Sequence, residues 1–273
     1  MSLRLAVEQA SHRITVRRRL PPPFEGARIY VSSEGGLRYL ARPMRQVDPA
    51  LLQLAGEVVR AGDTVWDIGA NMGLFSFAAA AMAGPQGRVL AVEPDTDLVS
   101  LLRRSAGRMS PGAAGQAAVE ILPAAVSDEQ SVARFHIARR NRATSHLAGF
   151  GTEMAGGVRS THLVPTITLD WLAARFPAPD VLKVDVEGAE LAVLTGGARV
   201  LAGSPAVICE VSAHNADAVA DMLTGHGYTL YDGDRDPLRR VPVPVAPFST
   251  LAIAAPGHRS AVVPDENGRI PNA

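Results

Sequence analysis

A chain of 273 residues and 28.7 kDa can bury a full core without requiring two domains, so one large α/β domain with an amino-terminal appendage is expected. Lysine plus arginine and aspartate plus glutamate both number 27, which leaves no basic excess and argues against nucleic acid as the principal partner. Cys209 is the sole cysteine, which excludes an internal disulfide. In the apolar run Pro205–Cys209 it reads as a small buried hydrophobe of a reducing compartment. No secretory-signal pattern opens the chain and no apolar run approaches the ~18 residues of a bilayer span. The expectation is a soluble, cytoplasmic protein with no membrane segment.

Residues 1–62 read as an extension. Ala27–Val31 and Leu37–Leu40 are strand candidates joined by the turn Ser33–Gly36. Asp48 then caps a helix through Leu51, Leu52, Leu54, Val58 and Val59, which Gly62 ends. Arg17–Arg19 and Arg139–Arg140 are short enough to read as solvated surface. From Thr64 strands and helices alternate. Strands are expected at 64–68, 88–93, 119–126, 181–186, 206–211, 227–231 and 250–254, and helices at 73–83, 95–107, 168–176, 189–201 and 215–225. Continuous apolar strands point to a parallel sheet covered on both faces. The main domain is expected to span 63–255. A glycine-rich, lid-like insertion occupies 138–165, and 256–273 form a loose tail. Trp66 and Trp171 read as core.

Within Thr64–Gly73, a strand ending in an acid meets a glycine-containing turn and an apolar helix. That pattern presents backbone amides and one carboxylate to a nucleotide-like ligand at the carboxyl edge of a sheet. A dinucleotide fingerprint needs G-x-G-x-x-G, but Asn71 stands where the second glycine belongs and would crowd a pyrophosphate. No Gly-Lys-Ser/Thr follows, so the turn is not a P-loop. Asp67 is placed to face a cationic amine. Glu93 lies 20 residues past Gly73, where an acid accepts from ribose hydroxyls and repels a 2′-phosphate. A ligand with hydroxyls and a positive charge fits best, and S-adenosylmethionine is one. Asp128 is placed either to accept from an adenine amine or to cap its turn. Cofactor contacts are thus expected from Asp67, Gly69, Asn71, Gly73, Glu93 and Asp128.

Four blocks in order, Trp66–Gly73, Ala124–Asp128, Thr168–Asp170 and Leu182–Glu190, together with Glu93, resemble the FkbM-type methyltransferases, a family of S-adenosylmethionine-dependent O-methyltransferases. The first block alone is class I methyltransferase-like; the last makes the resemblance specific. The resemblance covers roughly residues 60 to 212. It implies a class I methyltransferase (Rossmann-like) three-layer α/β sandwich. Its seven-stranded sheet would be mostly parallel with an antiparallel last strand.

Methyl transfer from a sulfonium to a hydroxyl is an in-line displacement, in which alignment supplies roughly 7–11 kcal/mol and a base about 10²–10⁴-fold. Asp185 and Glu187 close the fourth strand two residues apart, so an extended backbone points both to one face, which Lys183 shares. Glu210 ends the fifth strand and His214 opens the loop after it. Two mechanisms are open. Either Asp185 or His214 is the general base, with Glu210 beside it, or Asp185, Glu187 and Glu210 hold Mg²⁺. The metal-free route is preferred. Glu190 reads as an ordinary first-turn helix acid, and His136, His146 and His162 as surface or packing residues. Thr144 and Ser145 meet the acceptor if the insertion closes. The expected function is methylation of a hydroxyl on a small molecule or saccharide (natural product, glycolipid or polysaccharide), with a homo-oligomer left open. A nucleic-acid methyltransferase is the first alternative, disfavoured because no Asn/Asp-Pro-Pro-Tyr motif follows the fourth strand. The second is a non-catalytic nucleoside-binding module, against which the two acid clusters stand.

Overall fold

The computed structural model describes residues 14–24, 26–33, 36–107, 115–139, 141–151, 157–237 and 240–254. The expected tail, 256–273, and Arg140 lie outside them.

The chain enters through an antiparallel ribbon of β1 (Thr15–Arg19) and β2 (Arg28–Ser32). The partner of β2 is therefore the arginine run, not Leu37–Leu40, which falls in a helical turn, α1 (Arg38–Ala41). Arg18 explains the difference. Its guanidinium takes the carbonyls of Leu40 (3.1 Å) and Arg42 (2.7 Å), groups a strand would have spent on a ladder. The helix α2 (Pro49–Val58) is capped as expected, the Asp48 carboxylate accepting from Leu51 N at 3.0 Å.

The main sheet comprises β3 (Thr64–Ile68), β4 (Arg88–Val92), β5 (Ala118–Leu122), β10 (Val181–Val184), β11 (Ala206–Glu210), β12 (Tyr228–Asp232) and β13 (Ser249–Ala254). Its order is β12-β13-β11-β10-β3-β4-β5. The last strand, β13, runs antiparallel between β11 and β12, and the other neighbours pair in parallel. This is a Rossmann-like three-layer sandwich. One face carries α2, α3 (Leu74–Ala83) and α4 (Thr96–Ala106), over a core with Val65, Phe77 and Leu102. Leu20, Phe24 and Ile29 join that core, so residues before 62 share it. The other face carries α5 (Leu169–Ala173), α6 (Glu190–Thr195), α7 (Ala198–Ala202) and α8 (Ala216–Gly225), over a core with Trp66, Ile68 and Leu182. Fully burying a side chain such as Phe77 contributes roughly 1.5–3 kcal/mol. Trp171 is only half-buried, its ring stacked under Arg175 at 3.9 Å.

Two expected elements divide. Pro123 interrupts 119–126, leaving β5 in the main sheet and β6 (Ala125–Val126) in a smaller one. Gly196 and Gly197 break 189–201 into α6 and α7. The insertion is also more ordered than a lid. β7 (Ser131–Ala138) pairs antiparallel with β9 (Val158–Ile167) from Ser131↔Thr166 to Ala138↔Val158, and β8 (His146–Leu147) and β6 complete a four-stranded sheet. Among the described residues no helix is long and apolar enough to cross a membrane.

Candidate active site

The turn after β3 is built around one close approach. Gly69 has φ +76, and a Cβ there would lie 1.8 Å from the Asp185 carbonyl oxygen, so only glycine lets β3 and β10 end side by side. Asn71 holds φ +52, a left-handed conformation that asparagine tolerates. Its backbone N–H donates to Glu93 Oε2 and that of Asp95 to Oε1, both at 2.8 Å. Glu93 is buried; desolvation pushes its pKa up to about 8, partly offset by those two N–H groups. The side-chain Oδ1 of Asn71 is buried without a partner. Gly73 starts α3, and a Cβ there would meet Leu102 and Phe77 at 2.7 Å, so it serves packing.

Gly69, Asn71 and Glu93 floor an open cavity. Asp185 and Glu187 form one wall, and Leu98 and Ala125 an apolar one. Phe135, Leu147 and Ser145 roof it from the smaller sheet. Arg142, which the sequence reading passed over, pins this roof. It is 7% exposed; its Nη1 bonds both Asp95 carboxylate oxygens and its Nη2 bonds Asp97 Oδ2, all at 2.7 Å. No local pattern announces a residue whose partners lie 45 and 47 positions away. The roof also presses on the turn after β10, where a Cβ on Gly188 would come within 2.5 Å of Gly151 N.

Asp67 meets a cation, but one of this chain. Its side chain lies on the Val65 face of the sheet, beneath α3, fully buried and away from the cavity. Ser76 Oγ donates to it at 2.5 Å, and Lys183 Nζ, in register on β10, pairs with it at 3.0 Å. The same ammonium pairs with Asp185 at 3.3 Å and donates to the Gly69 carbonyl at 2.8 Å. Burial alone would lower the pKa of Lys183; Asp67 and Asp185 outweigh it and hold it raised. Removing one partner of such a buried pair costs about 3–5 kcal/mol.

The acids after β10 separate. The strand ends at Val184, two residues earlier than expected, and Glu187 takes φ +55, so the extended geometry that would align Asp185 with Glu187 is lost. Both still line the cavity over the ends of β3 and β4. Burial, then Asp185 and Glu190, push Glu187 up to about 8. Glu210 instead lines a second cavity on the α2 side, with Lys183, Asp48 and Asp234. Burial and Asp185 lift Glu210 to about 8. No three His, Cys, Asp or Glu among the described residues converge to hold a metal ion, so Asp185, Glu187 and Glu210 do not gather as the alternative Mg²⁺ set would require. Two other sites lie off the cavities. His214 is exposed in a turn, Ala213–Asn215, and Asp128 is exposed after β6, accepting from Ser127 Oγ at 3.0 Å.

Glu190 is no ordinary helix acid. It is 1% exposed and accepts from Gly188 N (2.6 Å), Asn215 Nδ2 (2.7 Å) and Ser212 Oγ (3.3 Å), tying the turn after β10 to the loop after β11. Thr168 caps α5, and the Asp170 carboxylate accepts from Arg199 and Val200 N–H groups at the start of α7. Of the histidines, His136 bonds Thr161 Oγ1 at 2.9 Å and His162 bonds Ser160 Oγ at 3.1 Å, both within the smaller sheet. His146 is buried there, and desolvation lowers its pKa.

A parallel sheet with a cavity over the ends of β3 and β4 defines the class I, Rossmann-like sandwich. The family described as "Methyltransferase FkbM domain" matches residues 67–230, and the chain belongs to it. It is similar to the hexuronic acid methyltransferase AglP of Haloferax volcanii, 30% identical over 165 residues, 60% of this chain. The chain spans 62% of that relative's length. Among solved structures, methyltransferase FkbM from Methylobacillus flagellatus is 15% identical, with a TM-score of 0.46, over 91% of this chain and 58% of that one. Aeropyrum pernix fibrillarin, solved with natively bound S-adenosyl-L-methionine, is 14% identical, with a TM-score of 0.44, over 89% of each chain.

The family's cofactor fits the residues present. A buried acid with a free lone pair on each oxygen, Glu93, suits vicinal hydroxyls, and the orphaned Asn71 Oδ1 needs a donor.

Proposed function

We propose that this chain is an S-adenosylmethionine-dependent O-methyltransferase that methylates a hydroxyl of a small molecule or saccharide. One observation carries the reading. A single cavity has Asn71 and Glu93 at one end and the carboxylates of Asp185 and Glu187 at the other. The similarity to a hexuronic acid methyltransferase supports a saccharide acceptor.

When bound, S-adenosylmethionine supplies an electrophilic methyl group on a sulfonium. The other work falls to the chain. Glu93 accepts from the ribose hydroxyls, Asn71 Oδ1 takes a ligand donor, and the wall of Leu98 and Ala125 under Phe135 receives a flat base. Lys183 fixes Asp185 at the junction of the two cavities. Glu210, its pKa lifted to about 8 by burial and Asp185, takes the acceptor proton; a base matched to working pH is the effective kind. The roof held by Arg142 excludes water.

The test is transfer of labelled methyl from S-adenosylmethionine to a panel of saccharide and polyketide acceptors, with and without Mg²⁺ and chelator. Turnover is expected to survive chelation. Glu210→Gln should lower kcat by about 10²–10⁴-fold while S-adenosylhomocysteine still binds. A chain that neither binds that nucleoside nor transfers methyl would overturn the assignment.

A further inference from the structure

The second cavity, between α2 and the ends of β10 and β11, is separate from the nucleoside cavity but adjoins it across one ion pair. Lys183 lines the second cavity, Asp185 lines the first, and the two side chains meet at 3.3 Å. We infer that this second cavity is the acceptor subsite of the proposed transferase, and that it selects a hydroxyl-rich acceptor without negative charge, a neutral or amino sugar in preference to a uronic acid. The inference rests on the functional reading above.

Three observations carry it. The first is the cavity itself, open to solvent, with apolar sides at Leu51, Leu54 and Ile208. The second is the state of its only lining cation among the described residues. Lys183 is ion-paired with Asp67 at 3.0 Å and Asp185 at 3.3 Å, and it donates to the Gly69 carbonyl at 2.8 Å. Its charge is already countered by two carboxylates, with which an acceptor carboxylate would have to compete. Two arginines of the following turn are engaged elsewhere, Arg235 by Asp232 and Arg240 by Glu57. The remaining groups on the wall that ionise near neutral pH are the carboxyls of Asp48, Asp234 and Glu210, the last protonated below about pH 8, and none of them is a cation. Sugar hydroxyls and a protonated amine donate to such groups; a uronate is repelled by them. The third is Phe248. It lines the cavity yet stays 62% exposed, an aromatic face open to the C–H groups of a pyranose ring. This chain therefore parts from its relative, named for hexuronic acid, in the charge of its acceptor.

The test uses the full chain saturated with S-adenosylhomocysteine and observes ligands by saturation-transfer NMR. The probes are methyl β-glucoside, methyl β-glucosaminide and methyl β-glucuronide. The first two are expected to bind, and the glucuronide at least about tenfold more weakly, a difference of about 1.4 kcal/mol. Phe248→Ala should abolish saturation of the glucoside without changing nucleoside affinity. Asp234→Lys should admit the glucuronide. If the nucleoside binds but the glucuronide binds as tightly as the glucoside, or no glycoside binds, this inference fails and the cofactor reading stands. Failure to bind S-adenosylhomocysteine would remove the functional reading, and this inference with it.

Discussion

Glu93, Glu187 and Glu210 share one physical condition: each is a carboxyl whose pKa burial has carried from 4.5 to about 8. The sign of the consequence follows from linkage. Unfolded, these groups release protons near their ordinary value; folded, they hold them until about pH 8. The folded state therefore binds more protons in between, and its advantage is lost as pH rises through about 8. The unliganded protein should melt at steadily lower temperature from about pH 5 to 8 and level off above that in a calorimetric series, and Glu187→Gln should flatten the trend. A nucleoside whose hydroxyls donate to Glu93 favours the ionised carboxylate, so its affinity should rise over the same interval. The acid types at 93, 185, 187 and 210 were legible in the sequence. Their environments were not, because the depth of a carboxyl depends on what the sheet packs above it. Asp67 shows this best. A strand-end acid suggests a ligand amine, but the parity of β3 turns it under α3, where Lys183 on β10 reaches it.

At the level of elements, periodicity located nearly every strand and helix of the main sheet, because a buried parallel strand and an amphipathic helix each carry their signal locally. It failed where pairing is remote. β1 and β9 owe their existence to partners, β2 and β7, that no window of residues contains. The roof is the functional consequence. Arg142 joins the segment before β8 to the loop after β4, and its loss leaves Asp95, 2% exposed, without its cation. Arg142→Ala should weaken S-adenosylhomocysteine by calorimetry. It should also raise amide hydrogen exchange across 141–151, while exchange in β3 and β4 stays near wild type. Unchanged exchange in the roof would show that the ion pair is not what holds it.

For the whole molecule, formal neutrality makes a prediction of its own. Without a net basic field, association with RNA at physiological salt should leave no shifted band in a gel, and a strong, salt-sensitive shift would revive the nucleic-acid alternative. By itself the sequence determined the alternating α/β plan and the turn from Gly69 to Gly73, and its four motif blocks, through the resemblance they carry, implied the family and the antiparallel last strand. These are written in residue order, where short-range sterics and periodic burial act. Tertiary structure alone decided that Lys183 is spent on two carboxylates, that Glu190 is a buried tie and that Arg142 clamps the roof. It also put Glu210 in a cavity different from that of Glu187. Each depends on residues distant in the chain being brought within a few ångströms, and on the low-dielectric surroundings that make such meetings count.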